Sequence, residues 1–298
     1  MSAATPVDNK RPRILITGTT GFVGAHLAAG LLKRSYRIIE VNRHGRSKDA
    51  DMVVWDFCSD ISSAFPREVD VIVHCASPVG MGSKAHGDAC VNLNVHAMDR
   101  LLRYAVQAGT KFFALVSSGA VYGLAATARS ENEALNPSDA YACSKAAGEF
   151  LLKAYEKTMR VQSLRLFYPY GPGQKSPRLM PRLVESILCG QPIVLNGREG
   201  RPRMNPLYID DLVNWVIRLL EVENASGPYN LGGSETVSVR ELALILGSLL
   251  GRRVQFDHRD AISGDTIGDT GRAREATGFS PEWSLERGLE EVVQSVVR

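Results

Sequence analysis

Up to Phe167 the chain alternates between short, mainly apolar runs and longer amphipathic stretches. Arg13–Thr17, Arg37–Val41, Met52–Trp55, Val69–Cys75, Phe112–Ser117 and Val161–Phe167 are each mostly hydrophobic. That is the pattern of strands covered on both faces, not one. Between them, apolar residues recur at helical spacing over Phe22–Lys33, Cys90–Ala108 and Pro137–Glu156. Apolar rather than alternating strand interiors, with helices interspersed between the strands, predict an α/β fold on a doubly wound parallel sheet of Rossmann-like form.

Beyond Phe167 the texture changes. Tyr168-Pro169-Tyr170-Gly171-Pro172-Gly173 reads as a loop, because two prolines and two glycines punctuate it. A helix Met180–Cys189, a short strand Leu207–Ile209 and a helix Asp210–Glu221 follow. A strand and turn at Tyr229–Gly233 and helices near Val239–Leu250 and Leu285–Val297 complete the pattern. This half is expected to return some elements to the sheet and to use the rest as a smaller C-terminal α/β cap.

Composition narrows the class without fixing it. The 298 residues are 44% hydrophobic and 22% charged, ordinary for a globular chain. A net charge of +3, with Lys and Arg scattered apart from a cluster at Arg43 to Lys48, gives no nucleic-acid or membrane surface. No apolar run approaches the roughly 18–20 residues of a membrane span. Residues 1–12 are polar, lack a secretory apolar core and read as a disordered leader, so the expected location is cytoplasmic. The five cysteines are dispersed and lack a CxxC pair. They read as buried free thiols, with no disulfide or metal site.

Chemistry enters with Gly18-Thr19-Thr20-Gly21-Phe22-Val23-Gly24, which lies between a predicted strand and a predicted helix. The first glycine permits a tight turn, the second a close backbone approach to a pyrophosphate, and the third close helix–strand packing. Gly18, Thr20, Gly21, Phe22, Val23 and Gly24 are therefore candidate dinucleotide contacts. Residues 13–171 are then the dinucleotide-binding domain, with 205–222 returning to it. Residues 172–204 and 223–298 are the substrate-binding cap.

Tyr141 and Lys145 lie four apart on one predicted helix, which places their Cβ atoms roughly 5–6 Å apart. An ammonium there lowers a phenol's pKa, and such a phenol can exchange a proton with a carbinol oxygen near neutral pH. By spacing alone the pair is also consistent with a solvated helix face. Ser118, just past a buried strand's carboxyl end where ligands bind in open α/β sheets, turns the set toward hydride chemistry. Pro137 supplies a natural first helical turn, placing Tyr141 near that helix's N-terminus.

These segments resemble the extended short-chain dehydrogenase/reductases of the NAD(P)-dependent epimerase/dehydratase group, whose best-known members act on nucleotide sugars. The resemblance runs from Ile14 to about Leu289. It includes Asp56, His74-Cys75-Ala76, Asn94, Arg165 with Tyr170-Gly171-Pro172, Tyr208-Ile209-Asp210-Asp211, Asn230-Leu231-Gly232-Gly233 and Gly278-Phe279-Ser280-Pro281. It implies that Tyr141 is the general acid/base, that Ser118 hydrogen-bonds the substrate oxygen, and that Lys145 binds the nicotinamide ribose. Asp56 and Phe57 would meet the adenine, Ala76 would line the dinucleotide path, and Tyr168 would border the nicotinamide. Ser77, Tyr170, Arg201 and Arg203 are the implied substrate contacts. Related enzymes pair the helices Cys90–Ala108 and Pro137–Glu156 across a homodimer, with Ala97, Met98, Leu101, Ala147 and Leu151 as the seam here.

Departures from the family pattern direct the finer reading. Dehydratases of the group carry an Asp-Glu pair after the catalytic Ser/Thr, whereas this chain has Gly119-Ala120. That leaves ketoreduction on a nucleotide-linked sugar as the first reading and epimerisation with tightly held NAD as the second. Reduction or oxidation of a non-nucleotide hydroxy or keto metabolite follows, and then a non-catalytic NADP-binding role. At the second strand's end Asn42-Arg43 replaces the acid that favours NAD, so NADP is favoured over NAD. The arginine that clamps a diphosphate two residues before Gly-Asp is replaced by Ile262, and Arg201 and Arg203 are displaced from the other usual register.

Overall fold

The computed structural model describes residues 11–45, 51–78, 84–197, 200–260 and 264–297. Contacts divide the chain into two compact units. The first runs to Val121 and resumes over Pro137–Arg165 and Val216–Tyr229. The second comprises Tyr122–Asn136, Leu166–Trp215 and Asn230 onward.

The first unit is built on strands β1 (Arg13–Thr17), β2 (Arg37–Asn42), β3 (Asp51–Val54), β4 (Val71–His74), β5 (Phe112–Ser118) and β6 (Arg160–Leu166). With a seventh strand, Gly227–Leu231, they form one sheet. From one edge the order is Gly227–Leu231, β6, β5, β4, β1, β2, β3. β1 pairs in parallel with both β2 and β4, so Thr17 faces Val41 on one side and His74 on the other. The strand order reverses there, opening a crevice at the carboxyl ends of β1 and β4. Ile14, Leu15, Ile16, Val71, Ile72 and Val73 are all buried, as the apolar runs required. At the β3 edge only Val53 of four residues is buried.

Helices cover the sheet in the first unit. On α1 (Phe22–Lys33), Gly24, Leu27, Ala28 and Leu31 are buried, an i, i+3, i+4, i+7 stripe. The segment expected as one helix from Cys90 to Ala108 is longer and interrupted. α2 (Lys84–Val91) passes through a π-helical turn, Asn92–His96, into α3 (Ala97–Gln107). Ala97, Met98 and Leu101 are fully buried in the hydrophobic core, so they cannot form the expected dimer seam. They lie on the apolar stripe of α3, which a sheet-covering helix must bury in its own unit. α4 (Ala140–Lys153) begins later than Pro137. Asp139 is the reason, because its carboxylate accepts the Ala142 amide and caps the first turn.

The second unit holds α5 (Leu179–Leu188), α6 (Ile209–Glu221, whose last turns belong to the first unit), α7 (Val239–Leu249), α8 (Gly271–Thr277) and α9 (Leu285–Val297). Three two-stranded ribbons accompany them. Pro169–Tyr170, expected as loop, pairs with Leu207–Tyr208, and Ile193–Asn196 with Phe256–Arg259. Asp211, at the start of α6, accepts the Glu282 and Trp283 amides, and Trp283 stacks on Tyr208 at 4.1 Å. Burial raises the Asp211 pKa.

All five cysteines are free, but Cys58, Cys143 and Cys189 are exposed. The expectation of buried thiols therefore holds for Cys90 and, in part, Cys75. No helix among the described residues is long and apolar enough to cross a membrane.

Replacing the α4 cap, Asp139→Ala, is expected to cost about 1 kcal/mol of stability, since it leaves the Ala142 N–H without its acceptor. Chemical denaturation of the two proteins measures this, and an unchanged midpoint would mean that Asp139 does not hold the helix start.

Candidate active site

The glycine loop follows β1 directly. Gly18 has φ +74°, and a Cβ there would lie 2.6 Å from the Ala76 nitrogen. A Cβ on Gly24 would lie 2.3 Å from the Gly18 carbonyl, so α1 starts hard against the loop. Gly21 is the N-cap of α1, with no side-chain cap and no acidic residue in the first turn. The helix thus presents its first amides at the crevice, the arrangement that suits phosphate oxygens. Thr20 and Gly21 are exposed and Phe22 and Val23 half-buried, so all four remain accessible to a ligand. A dinucleotide's pyrophosphate fits this cradle on backbone shape alone.

Thr17 and His74, paired across β1 and β4, fix the other wall of the crevice. The Thr17 hydroxyl accepts the Ala76 amide at 3.2 Å and lies 2.7 Å from His74 Nδ1. Nε2 is buried and has no hydrogen-bond partner among the described residues. Burial first, and then the charge of Lys145, push the His74 pKa down to about 3, with the Leu93 carbonyl opposing. Burial also pushes the neighbouring Cys75 thiol up to about 12. Ser77, one residue past Ala76, has a buried hydroxyl with no partner among the described residues.

Two carboxyl-end turns further along the sheet hold the residues expected at the adenosine. Asn42 is buried, and its Oδ1 accepts the His44 and Gly45 amides at 3.0 and 2.9 Å. Its acceptor is spent on its own turn, while Arg43 is exposed. Asp56 makes the same kind of turn, Oδ1 accepting the Cys58 and Ser59 amides and the Ser59 hydroxyl. Those hydrogen bonds, the Ser59 amide first, lower its pKa. Phe57 sits at φ +65° with its ring buried against Trp55, so only its backbone is available to a ligand. Of the basic cluster at Arg43 to Lys48, residues 46–48 lie outside the described residues.

The three catalytic candidates share the first unit. Ser118 ends β5, and its hydroxyl accepts the Ala120 amide at 3.2 Å. Tyr141 is the second residue of α4 and is half-buried. Lys145, one turn on, is 2% exposed, with Nζ donating to the Val116 carbonyl of β5 at 2.8 Å. The π-helical turn carries Asn94, whose Nδ2 donates to the Ser144 hydroxyl at 2.8 Å. Ser144 in turn donates to the Tyr141 carbonyl at 2.8 Å, linking Asn94 to the first turn of α4. Asn94 Oδ1 is buried without a partner among the described residues.

Sequence reasoning missed Thr17 and Ser144, whose hydroxyls bridge elements. It also missed Ser117 and Glu149, which join Arg165 in a buried cluster. Glu149 offered a signal, being a carboxylate on the core-facing side of an otherwise apolar helix.

In the second unit the remaining candidates fare differently. Tyr168 has φ +42°, and its hydroxyl bonds Thr266. Tyr170 is 1% exposed, with its hydroxyl on the Leu285 carbonyl and its ring against Tyr208. It is a core residue with no surface for substrate, because the Pro169–Tyr170 strand turns it inward. Arg201 reaches Asp265 at 3.2 Å, and Arg203 is exposed with Nη2 on the Thr236 carbonyl. Ile262 lies outside the described residues.

A parallel sheet with a glycine cradle at its switch point, and a tyrosine one turn from a buried lysine at the next strand end, defines an enzyme of the extended short-chain dehydrogenase/reductase class. Residues 14–232 match the model of the NAD dependent epimerase/dehydratase family, and the chain belongs to that family. It is 27% identical over 303 residues to the uncharacterized UDP-glucose epimerase YtcB of Bacillus subtilis, covering 93% of this chain and 95% of that one. It is 25% identical to the dTDP-4-dehydro-6-deoxyglucose reductase of Escherichia coli, covering 97% and 99%. The solved UDP-glucuronic acid 4-epimerase of Bacillus cereus, in complex with UDP-glucuronic acid and NAD, superposes with a TM-score of 0.87. It is 25% identical, with 96% of this chain and 99% of that one covered.

The buried imidazole sets a pH dependence. Below pH about 6.5 the unfolded chain takes up a proton on His74, while the folded chain does not until pH approaches about 3. Stability contributed by the neutral ring is therefore lost as pH falls through this window, at up to about 1.4 kcal/mol per pH unit. Urea midpoints from pH 7 to 4.5 are expected to fall more steeply for the wild type than for His74→Asn; parallel slopes would mean that folded His74 is protonated.

Proposed function

We propose that the protein is an NAD-dependent enzyme acting on a nucleotide-linked sugar. It removes a hydride from a secondary carbinol and returns it to the opposite face. The observation that carries this reading is the arrangement of Ser118, Tyr141 and Lys145 at the end of β5 and the start of α4. Family membership and the UDP-sugar relatives supply the substrate class.

NAD, when bound, accepts and returns the hydride. Everything else falls to the chain. Tyr141 takes the carbinol proton and gives it back, and Ser118 donates a hydrogen bond to the same oxygen, holding it over the reacting face. Lys145, locked on the Val116 carbonyl, keeps a fixed positive charge beside the phenol and favours its ionised form. The Gly18–Gly24 cradle and the first amides of α1 hold the pyrophosphate, and Ala76 forms the opposite wall. Gly119 and Ala120 enter a 3₁₀ turn and carry no group able to move a proton, which argues against water elimination.

A second reading is ketoreduction of a nucleotide-linked keto sugar with NADPH. Exposed Arg43 and the absence of a carboxylate at Asn42 favour it, as does the likeness to a keto-sugar reductase. Within the second unit, exposed Arg203 is the candidate phosphate contact in either case. We further propose a homodimer through α2 and α4. Val91 and Phe150 are 45% and 65% exposed, and Ala147 and Leu151 lie half-buried on α4.

Incubation with UDP-glucose, UDP-glucuronic acid and dTDP-4-keto sugars, with NAD or NADPH and mass-spectrometric and NMR readout, separates the two readings. Epimer formation without net cofactor consumption supports the first, and NADPH-linked reduction the second. Tyr141→Phe is expected to lower turnover by roughly 10²–10⁴-fold while leaving cofactor affinity within about threefold. If wild type and Tyr141→Phe are equally inactive across the panel, the enzymatic reading fails. Phe150→Glu is expected to convert a dimer to monomer by light scattering; a wild-type monomer at micromolar concentration would rule the assembly out.

A further inference from the structure

α4 meets the sheet through two consecutive turns, and both contacts are charged. Lys145 Nζ donates to the Val116 carbonyl at 2.8 Å. One turn on, Glu149 accepts the hydroxyl of Ser117, the next residue of β5. Arg165 of β6 grips the same carboxylate, with Nε 3.1 and 3.0 Å from its two oxygens and Nη2 2.6 Å from one of them. The side chains of the pair are 6% and 7% exposed.

Stability alone does not account for this pair. Removing both charges from water costs about as much as their attraction returns, and apolar residues of similar volume commonly serve a fold as well or better. The surrounding face of α4 is already apolar and tightly fitted. Ala142, Ala146 and Leu152 are buried, and a Cβ on Gly148 would lie 3.0 Å from the Asn94 carbonyl.

What the pair adds is direction. A helix on a sheet can slide along its axis or roll about it. One polar contact at Lys145 restrains the slide but leaves the roll soft. A bidentate carboxylate–guanidinium contact one turn away, about 6 Å along the axis, restrains both. Both contacts lie close to the catalytic candidates in the chain: Val116 and Ser117 immediately precede Ser118 on β5, and Lys145 and Glu149 are one and two turns from Tyr141 on α4.

We propose that Glu149, clamped by Arg165 and Ser117, is a positioning residue of the active site. It fixes the roll and register of α4 and thereby sets Tyr141 and Lys145 against Ser118. In its catalytic consequence this rests on the functional reading above.

The test replaces both charges, Glu149→Leu with Arg165→Met, so that neither ion is left buried alone. The double variant is expected to melt within a few degrees of wild type. Its first α4 turn, Tyr141–Lys145, should exchange amide hydrogens roughly tenfold faster at matched stability. Its kcat should fall roughly ten- to a hundredfold with KM and cofactor Kd within about threefold. Unchanged exchange in that turn, or wild-type kcat in the double variant, overturns the proposal. If the double variant does not fold, Ser117→Ala, which keeps the ion pair, carries the same two readouts. A smaller change in the same direction supports the proposal, and none overturns it. Hydrogen exchange needs no substrate, so a wild type inactive on every sugar would count against the functional reading and leave the positioning result standing.

Discussion

The crevice depends on one hydroxyl. Thr17 ends β1 at the point in the sheet where β2 lies on one side and β4 on the other. Its oxygen accepts the Ala76 amide and lies in hydrogen-bond contact with His74 Nδ1, tying the end of β4 to the end of β1. That tie holds the Ala76 backbone against Gly18, and the contact is close enough that only glycine fits. The cradle's width follows from this contact. A side chain at position 18, or a β4 end free to drift, would close or splay the path that a dinucleotide needs.

The same neighbourhood keeps its charges sorted. Lys145 is buried near His74 and Cys75, and its field is felt at both. The histidine stays neutral because burial and the lysine act together on it, while burial outweighs the lysine at the thiol and keeps it protonated. At the end of β4 the lysine thus faces two groups that stay neutral, His74 and Cys75.

Much of this was legible in the residues. Mainly apolar runs of four to seven residues can be strands in a doubly covered sheet, and every such run before Phe167 became one, with ends shifted by a residue or two. The glycine loop and the Tyr141–Lys145 spacing were legible because each encodes a local geometry. Pairings across distance were less so. Nothing local marks Thr17 as the partner of Ala76, or Ser144 as the link between Asn94 and α4. Ala97, Met98 and Leu101 were assigned to a dimer seam because one amphipathic stripe serves equally for a sheet or for another helix. The start of α4 was misread because Pro137 and Asp139 are both start signals, and the side-chain cap prevailed. The ribbons of the second unit, two to four residues each, fall below what hydrophobic periodicity can resolve.

The π-helical turn at Asn92–His96 changes the phase of the chain it interrupts. A helix that takes in one extra residue points everything beyond it about 100° away from where an unbroken helix would. α2 and α3 therefore answer to different partners although they form one continuous rod. Before the turn, Cys90 faces the Ser144 side of α4; beyond it, the stripe of α3 lies in the sheet core. Asn94 sits at the hinge between these phases, the position from which one side chain can reach α4 while its neighbours turn away.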